Sequence, residues 1–325
     1  MAEPTRPKII VAGRIPDAGI DVLRPIGELW GWNDDNPIPP DELHRRIAGA
    51  DGVVTLLTTK IDDAFLDAAG ANLKVVANVA VGYNNIDVPA CTRRDVVATN
   101  TPGVLTDATA DIAMSLILMC TRRLAEGERL LRSGEPWQWG MFMMLGTGIQ
   151  GRRLGIVGMG AIGQALARRA RAFGMHIAYS NRTPVSSAIE NELGATRLSF
   201  DELLATSDVV SINCPYSTET HHLIGASQLA GMRRSAFLIN TARGPIVHEA
   251  ALVGALRSGA IAGAGLDVFE HEPVLAEGLR SLDNAVLIPH LGSATVETRA
   301  AMATLAAHNV AAVLDGRGPL TPIRP

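Results

Sequence analysis

The sequence is poor in cysteine, with only three among 325 residues, and they lie far apart in the chain. Cys91, Cys120 and Cys214 are odd in number and lack the spacing of metal ligands, which argues against a disulfide framework and a cysteine-bound metal. The adjacent His221 and His222 would point apart on a strand or a helix, which makes them a poor metal pair. We therefore predict no metal site and a reducing compartment, the cytoplasm.

Long apolar segments and an excess of positive charge are also missing. No uninterrupted apolar stretch approaches the roughly 20 residues that a membrane-spanning helix needs, and residues 1–8 lack the apolar core of a secretory signal. The formal net charge of −4 argues against nucleic acid as the main partner. These absences predict a protein with neither a membrane nor a nucleic-acid partner.

Strand-like and helix-like patterns alternate along most of the chain, in which hydrophobic residues make up 47% and charged residues 19%. In the first hundred residues the predicted strands are 8–12, 52–57, 74–79 and 96–99, and amphipathic stretches lie near 18–23, 40–47, 62–69 and 88–93. A second series runs from 154 to 289, with strands near Gly155, Ile177, Val209, Phe237, Gly263 and Val286. This alternation predicts an α/β protein with two doubly wound parallel sheets, and 325 residues is the length of two ordinary domains.

Two long helical patterns set the predicted domain boundaries. One covers 106–133 between the two series, and the other, rich in alanine, covers 295–314. In a chain of this order the last helix can return to the first domain. We therefore predict a discontinuous first domain of residues 1–101 plus 294–325 and a second domain of residues 102–293. A ligand cleft is expected between the two domains, beside the crossings of the chain.

Segment 136–145 is rich in large apolar side chains but has neither helical nor strand periodicity. Leaving such a stretch in water would be costly, so another surface is expected to cover it. We predict a partner subunit in a homodimer, and a contact within the chain is the alternative. Trp137, Trp139 and Met143 would help to shape the partner's substrate pocket in the first case and would pack into the core in the second.

A cluster of glycines follows the first strand of the second series. Residues 154–157 are predicted to form a buried strand and 161–173 a helix, with a turn between them that has the spacing G-x-G-x-x-G. Gly158 permits the tight turn, Gly160 lets backbone amides approach a pyrophosphate, and Gly163 lets the helix pack against the strand. Unpaired N–H groups and the positive dipole end at the start of the helix also suit phosphates, so the pattern predicts a bound dinucleotide. The predicted cofactor contacts at this turn are Gly158, Gly160, Ala161, Ile162 and Gly163.

The residues after the next strand indicate which dinucleotide is bound. In NAD-binding proteins of this architecture, an acidic residue about 20 positions beyond the first glycine accepts hydrogen bonds from the ribose 2′-hydroxyl. At that distance this chain has Ser180, Asn181, Arg182 and Thr183, with no carboxylate. A guanidinium and two hydroxyls suit a 2′-phosphate, although an ordinary solvated turn can have the same composition. We therefore predict NADPH as the cofactor, with NADH as the alternative.

Arg243, Glu272 and His290 each follow a predicted strand of the second series. The carboxyl ends of parallel strands share one edge of a sheet, the edge that also carries the glycine turn, so these side chains are expected to converge there. Hydride transfer to a carbonyl requires a proton donor, and histidine has the ordinary pKa that suits this near neutrality. Glu272 would stabilise the imidazolium and orient the ring, while Arg243 would clamp a carboxylate and polarise the adjacent carbonyl. A 2-oxo acid carries both groups on neighbouring carbons.

The motifs of this chain resemble those of the D-isomer-specific 2-hydroxyacid dehydrogenases, and most closely those of the glyoxylate and hydroxypyruvate reductases. The resemblance covers nearly the whole chain and includes GYNNID at 82–87, NTPGVLT at 100–106, NTARG at 240–244, GLDVF at 265–269 and HLGSAT at 290–295. It implies that Arg243, Glu272 and His290 are the catalytic residues and that the protein is a homodimer. It also implies that the discontinuous first domain is a flavodoxin-like substrate-binding domain and that the second is a Rossmann nucleotide-binding domain.

The same resemblance implies further contacts with substrate and cofactor. The backbone of Val81 and Gly82 would hold the substrate carboxylate, and Ser293 would also contact the substrate, together with Arg243 and His290. Asp267 would hydrogen-bond the nicotinamide amide. The remaining predicted cofactor contacts are Pro215, Thr241 and Gly292.

We predict an NADPH-dependent reductase that converts glyoxylate or hydroxypyruvate into glycolate or D-glycerate. The alternatives are an NAD-dependent D-lactate-type dehydrogenase and a dinucleotide-sensing interaction protein, since transcriptional corepressors share this fold and triad. Glu272 in place of glutamine argues against the formate dehydrogenase branch, and the lack of a carboxylate near Ser180 argues against the phosphoglycerate dehydrogenases. Asn84 departs from the aspartate that many relatives carry.

Overall fold

Five parallel strands form the first sheet of the structure, a computed structural model that describes residues 6–324. In chain order they are β1 (Lys8–Val11), β2 (Glu28–Gly31), β3 (Gly52–Thr55), β4 (Val75–Asn78) and β5 (Val97–Thr99). Across the sheet their order is β2-β1-β3-β4-β5, which is the order of flavodoxin-like folds. β3 and β4 are buried along their whole length, because helices cover both faces of a parallel sheet.

Two layers of helices enclose this first sheet. They are α1 (Asp17–Leu23), α2 (Pro40–Ile47), α3 (Asp63–Ala69), α4 (Val88–Arg93) and, at the end of the chain, α12 (Val296–Leu314). Ala303, Ala307 and Val310 of α12 belong to the same apolar core as Ile9 and Val75 of the sheet. The unit that results comprises Met1–Leu105 and Ala294–Pro325, of which residues 6–105 and 294–324 are described.

Seven parallel strands form the second sheet. In chain order they are β6 (Arg153–Val157), β7 (His176–Ser180), β8 (Ala195–Arg197), β9 (Val209–Ile212), β10 (Phe237–Asn240), β11 (Gly263–Leu266) and β12 (Ala285–Leu287). Their order is β12-β11-β10-β9-β6-β7-β8, so the direction of winding reverses between β6 and β9, as in Rossmann folds. The predicted fold class, two doubly wound parallel sheets, is confirmed.

Helices also cover both faces of the second sheet, and each face has its own apolar core. They are α5 (Thr106–Thr121), α6 (Leu124–Ser133), α7 (Ala161–Ala172), α8 (Ser187–Leu193), α9 (Phe200–Thr206), α10 (Ala226–Gly231) and α11 (Glu249–Ser258). Short 3₁₀ turns occur at Thr218–Thr220, Gly244–Ile246 and Leu279–Ser281. This second unit comprises Thr106–Ser293. Within residues 6–324, no helix is long and apolar enough to cross a membrane.

The predicted helical stretch 106–133 is two helices rather than one. Arg123 has a φ of 54° and a ψ of 33°, in the left-handed region, and separates α5 from α6. The N–H of Thr147 donates to the carbonyl of Thr121 at 2.7 Å, so a later segment takes the carbonyl that a continuing helix would have used. α5 is largely buried, whereas α6 has no buried residue, and the break lets α6 leave the core.

The sequence analysis missed two strands, β2 and β8, which form edges of the two sheets. Both are short and have exposed or half-buried residues along their length. An edge strand has a neighbour on one side only, so it needs no continuous apolar run, and the pattern that identified the central strands was absent.

Candidate active site

The glycine turn after β6 has the geometry that its spacing predicts. Gly158 has a φ of 98°, and a Cβ there would lie 2.5 Å from the backbone nitrogen of Cys214. A Cβ at Gly163 would overlap the carbonyl of Gly158, so α7 could not pack as closely against β6. A Cβ at Gly160 would have no heavy atom within 4 Å, so the backbone there is open to an approaching group. The turn therefore combines a tightly packed inner side with an accessible outer side.

The start of α7 adjoins this open side of the turn. α7 begins at Ala161, and its N-cap, Gly160, offers no side chain to satisfy the first N–H groups of the helix, including that of Ile162. Unpaired N–H groups and the positive end of the helix dipole favour an anion. The residues present thus fit a dinucleotide, whose pyrophosphate would lie at this helix start.

Buried polar atoms without partners lie at the same edge of the sheet. Within residues 6–324, Asn213 Oδ1 and Thr241 Oγ1 are buried and make no hydrogen bond. They follow β9, which pairs with β6, and β10, which pairs with β9, and Pro215 lies two residues beyond Asn213. A buried hydroxyl or amide oxygen without a partner is unfavourable, so a polar ligand at this edge would satisfy both.

Ser180, Asn181, Arg182 and Thr183 lie at the end of β7, beside the glycine turn. The carbonyl of Ser180 accepts a hydrogen bond from the N–H of Gly158 at 3.1 Å. Asn181 Oδ1 accepts one from the N–H of Met159 at 2.7 Å, so the side chain of Asn181 supports the turn. Arg182 and Thr183 are exposed. Of the predicted 2′-phosphate contacts, Arg182 is therefore the accessible cation.

His290 and Glu272 are in direct contact. His290 Nδ1 lies 2.9 Å from Glu272 Oε2, and Glu272 Oε1 accepts a hydrogen bond from the N–H of Phe269 at 3.0 Å. Partial burial raises the pKa of Glu272, but the hydrogen bond and charge of His290 outweigh it, so this pKa lies below its ordinary value. The carboxylate is therefore ionised near neutral pH and favours a proton on Nδ1, which leaves Nε2 as the second ring nitrogen for a ligand.

Asp267 holds the loop that carries His290. Its buried carboxylate accepts hydrogen bonds from the N–H groups of Leu291 and Gly292, the latter at 2.8 Å, and its carbonyl accepts one from the N–H of His290 at 2.9 Å. Burial raises the pKa of Asp267. These bonds hold His290 at a φ of 52°, in the left-handed region. Asp267, predicted from the resemblance to contact the nicotinamide amide, thus also positions the histidine, and Ser293 follows directly after this loop.

Arg243 lies in a turn that packs tightly against the Glu272 loop. Asn240 shapes this turn, because its side chain accepts from the N–H of Ala242 at 3.0 Å and donates to the carbonyl of Arg243 at 2.9 Å. A Cβ at Gly244 would overlap the backbone of Phe269, so only glycine lets the turn and the loop meet. Burial lowers the pKa of Arg243, and the nearby charge of Glu272 opposes this effect. Arg243, Glu272 and His290 therefore come from adjoining loops at one sheet edge.

Val81 and Gly82 lie in the first unit, in the loop after β4. Both carbonyls accept hydrogen bonds. Asn100 Nδ2 donates to the carbonyl of Val81 at 2.7 Å, and Asn78 Nδ2 donates to the carbonyl of Gly82 at 3.1 Å. Neither backbone N–H makes a hydrogen bond to another residue in the range 6–324. Two successive unpaired N–H groups are a suitable cradle for a carboxylate.

The sequence analysis missed a polar network behind Glu272. His222 Nε2 lies 2.6 Å from Glu270 Oε1, and the rings of His221 and His222 stack with centroids 3.9 Å apart, contrary to the expectation that they point apart. The reason is that His222 has a φ of 51°, so the pair belongs to neither a strand nor a helix. His222 and Glu270 are far apart in the sequence, and no periodic pattern connects them. This contact therefore could not be predicted from the sequence.

Comparison with known protein families supports the resemblance. A family model described as the D-isomer specific 2-hydroxyacid dehydrogenase, NAD binding domain, matches residues 114–292. A glyoxylate reductase of Thermococcus litoralis is 47% identical over 319 residues, which cover 97% of this chain and 96% of the relative. A glyoxylate reductase of Thermococcus onnurineus is 48% identical over 321 residues, which cover 97% and 95%.

Solved structures are similar over the same length. The crystal structure of a glyoxylate reductase from Paecilomyes thermophila has a TM-score of 0.89 and 34% sequence identity and covers 99% of both chains. An NADPH-dependent glyoxylate/hydroxypyruvate reductase from Sinorhizobium meliloti, in complex with NADP and malonate, has a TM-score of 0.86 and 37% identity and covers 98% of this chain and 97% of that one.

Proposed function

Because this chain belongs to the D-isomer-specific 2-hydroxyacid dehydrogenase family and is an NAD(P)-dependent dehydrogenase, we propose that it reduces glyoxylate and hydroxypyruvate with NADPH. The products are glycolate and D-glycerate. The observation that carries this proposal is the 2.9 Å contact between His290 Nδ1 and Glu272 Oε2 at the sheet edge that holds the glycine turn. It pairs a proton donor with the carboxylate that orients it.

In the proposed reaction, His290 is the general acid. The nicotinamide, when bound, supplies the hydride that reduces the carbonyl carbon of the substrate. His290 Nε2 donates a proton to the carbonyl oxygen, which completes the 2-hydroxy acid, and water later returns a proton to the ring. Glu272 stabilises the charged ring before transfer and fixes its orientation throughout.

Arg243 and the loop after β4 recognise the substrate in this proposal. The planar guanidinium of Arg243 can bind the substrate carboxylate and polarise the neighbouring carbonyl, and its burial reduces screening by water. The unpaired N–H groups of Val81 and Gly82 on the first unit, which the family resemblance implies contact the substrate, can also bind a carboxylate. The requirement for two anchors on neighbouring carbons explains why a small 2-oxo acid is the proposed substrate.

The proposed preference for NADPH depends on the residues after β7. Segment 180–183 contains no carboxylate to bind the ribose 2′-hydroxyl, and Arg182 is an exposed cation in that segment. The relative from Sinorhizobium meliloti is itself described as NADPH-dependent. A guanidinium forms charge-assisted hydrogen bonds with a phosphate, whereas it offers little to a neutral hydroxyl.

A matched set of assays tests the proposal. NADPH and NADH oxidation are measured with glyoxylate, hydroxypyruvate and pyruvate under identical conditions. We expect the highest kcat/KM with NADPH and either glyoxylate or hydroxypyruvate. The highest value with NADH and pyruvate would instead indicate a D-lactate-type dehydrogenase. Dinucleotide binding without turnover of any substrate would indicate a sensing protein.

A second copy of the chain is the proposed partner. Trp139 is 73% exposed and Phe142 is 88% exposed, and both lie in segment 136–145, which contains neither helix nor strand. The preceding helix, α6, likewise buries no residue within the unit. Large apolar side chains gathered on one surface favour association, so we propose that this surface forms a homodimer.

The thiols are consistent with a proposed location in the cytoplasm. Cys91, Cys120 and Cys214 are unpaired. Burial raises the pKa of Cys91 and Cys214 to about 11 and that of Cys120 to about 12. The thiols therefore stay protonated near neutral pH and have low reactivity as nucleophiles.

A further inference from the structure

A cavity of about 520 Å³ lies outside the carboxyl ends of β7 and β8. Two short segments, 180–182 and 197–200, line it. Arg182 and Arg197 supply two positive charges, and neither forms an ion pair with a carboxylate in the described part of the chain. Two guanidinium groups beside one cavity favour an anionic ligand with several acceptor oxygens.

Arg197 also fixes the loop that carries Arg182. It is the last residue of β8, and its Nη2 atom donates to the carbonyls of Asn181 and Arg182 at 3.0 and 3.1 Å. One terminal nitrogen therefore joins two consecutive peptide groups of the neighbouring loop. A guanidinium has five N–H donors. The Nε and Nη1 atoms of Arg197 make no hydrogen bond to another residue among 6–324, so they remain available to a ligand.

Further hydrogen bonds connect this loop to the cofactor site and engage the carboxylate of a nearby acidic residue. Asn181 Oδ1 accepts from the N–H of Met159 in the glycine turn at 2.7 Å, so the loop is held from two directions. Glu202 is an acidic residue close to the cavity in sequence. Its carboxylate accepts from the N–H and the hydroxyl of Ser199, at 3.1 and 2.7 Å, in the capping box of α9.

We propose that Arg197 is a second determinant of NADPH selectivity, which binds the 2′-phosphate together with Arg182 and holds the backbone from which Arg182 extends. This inference rests on the proposed use of NADPH and adds a residue from a different strand to the phosphate site. A phosphate monoester has three terminal oxygens and carries nearly two negative charges near neutral pH, which matches two guanidinium groups better than one.

Nucleotide binding and cofactor kinetics test this role in the intact protein. The affinities of wild type, R197Q and R197K for adenosine 2′,5′-bisphosphate and for 5′-AMP are measured by calorimetry, and kcat/KM is measured with NADPH and NADH. R197Q is expected to reduce the preference for the 2′-phosphorylated ligand roughly tenfold, the effect of losing one partly exposed charge-assisted hydrogen bond. R197K keeps the charge but loses the planar fork, so an intermediate loss is expected.

R234Q is the matched control, because Arg234 is an exposed residue that precedes β10, at the amino ends of the strands, whereas the cavity lies at their carboxyl ends. R234Q should leave unchanged both the preference for adenosine 2′,5′-bisphosphate over 5′-AMP and the preference for NADPH over NADH. A wild-type protein that binds adenosine 2′,5′-bisphosphate no more tightly than 5′-AMP would overturn the NADPH preference and the role of Arg197 together. The role of Arg197 alone is overturned if wild type shows the preference and R197Q retains it. The same holds if R197Q lowers the affinity for both nucleotides equally.

Discussion

Two reciprocal hydrogen bonds join Glu249 and Glu270. In each of them the side-chain carboxylate of one residue accepts from the backbone N–H of the other. Glu270 donates to Glu249 Oε1 at 2.6 Å, and Glu249 donates to Glu270 Oε2 at 3.0 Å. Glu249 is buried at the first position of α11, and its second oxygen accepts from the N–H of Ala276 at 3.1 Å. The loop from 270 to 276, which contains Glu272, is therefore fixed at both ends to the start of one helix.

Replacing Glu249 by Gln tests this arrangement. The amide keeps the shape but has one acceptor oxygen, so at least one backbone N–H of the loop loses its partner. We expect the free energy of unfolding to fall by about 1–3 kcal/mol, measured by urea denaturation, and kcat to fall as Glu272 becomes less fixed. The control is E297Q, an exposed acidic residue in the first turn of α12, which should change stability by less than about 0.5 kcal/mol. Equal effects of the two substitutions would contradict a specific role for Glu249.

Replacing His290 by Ala should remove the proton donor and leave cofactor binding intact. We expect kcat for glyoxylate reduction to fall by about 10²–10⁴, the usual contribution of a general acid. The affinity for NADPH, followed by fluorescence of the bound nucleotide, should stay within about twofold, since the proposed partner of His290 Nε2 is the substrate and not the nucleotide. His271 is exposed and lies beside Glu272 in sequence, so H271A is the control and should retain turnover. A H290A protein with most of its activity would refute the assignment of the acid.

Replacing Glu272 by Gln should change the pH dependence of the reaction. Burial raises the pKa of Glu272, but the hydrogen bond and charge of His290 lower it further, so wild type keeps a carboxylate beside the imidazole. That negative charge favours the protonated ring, which is the form needed for reduction. In E272Q no carboxylate titrates beside the ring, so the loss of kcat/KM that accompanies protonation of Glu272 at acidic pH is expected to disappear. The exposed Glu277 provides the control, because E277Q should leave the profile in place.

The same pair should make stability depend on pH. The pKa of Glu272 is lower in the folded protein than its ordinary value, so its stabilising effect is present above the unfolded pKa. This contribution is lost as pH falls through the lower, folded pKa. Wild type should therefore lose more stability than E272Q across that acidic interval, as measured by urea denaturation at successive pH values. Parallel curves for the two proteins would show that the contact with His290 contributes nothing to folding.

Polar substitutions in segment 136–145 test the proposed dimer. The double variant W139S/F142S removes two large exposed apolar side chains, each worth about 1.5–3 kcal/mol when buried. We expect the dissociation constant of the dimer, measured by sedimentation equilibrium, to rise by at least about tenfold. V296S changes an apolar residue that is 83% exposed on the first unit and should leave the assembly unchanged. A monomeric wild-type protein would contradict the proposal directly.

The central strands of both sheets could be predicted because strands that are buried on both faces have continuous runs of apolar residues. The edge strands β2 and β8 have no such apolar runs. Because β8 was missed, the position of Arg197 at its end could not be predicted either. The break at Arg123 depends on the N–H of Thr147, a residue far along the chain, so local periodicity could not reveal it. Non-local contacts of this kind require coordinates.

Part of the candidate site followed from topology alone. Residues after parallel strands share a sheet edge, and this reasoning placed Glu272 near His290, which the structure brings to 2.9 Å. The supports behind them did not follow from topology. Glu249 accepts a hydrogen bond from the N–H of Glu270, and His222 contacts the carboxylate of Glu270. Both contacts join segments that are far apart in the sequence and meet only after folding.

The absence of a side chain at Gly244 has a mechanical consequence for any attempt to redesign this enzyme. Main chain rests directly on main chain there, so the turn with Arg243 and the loop after β11 must shift as one piece. A change of substrate size achieved by moving either segment would carry the guanidinium and the carboxylate along together. Engineers who want a larger pocket would do better to alter side chains elsewhere and leave this junction as it is.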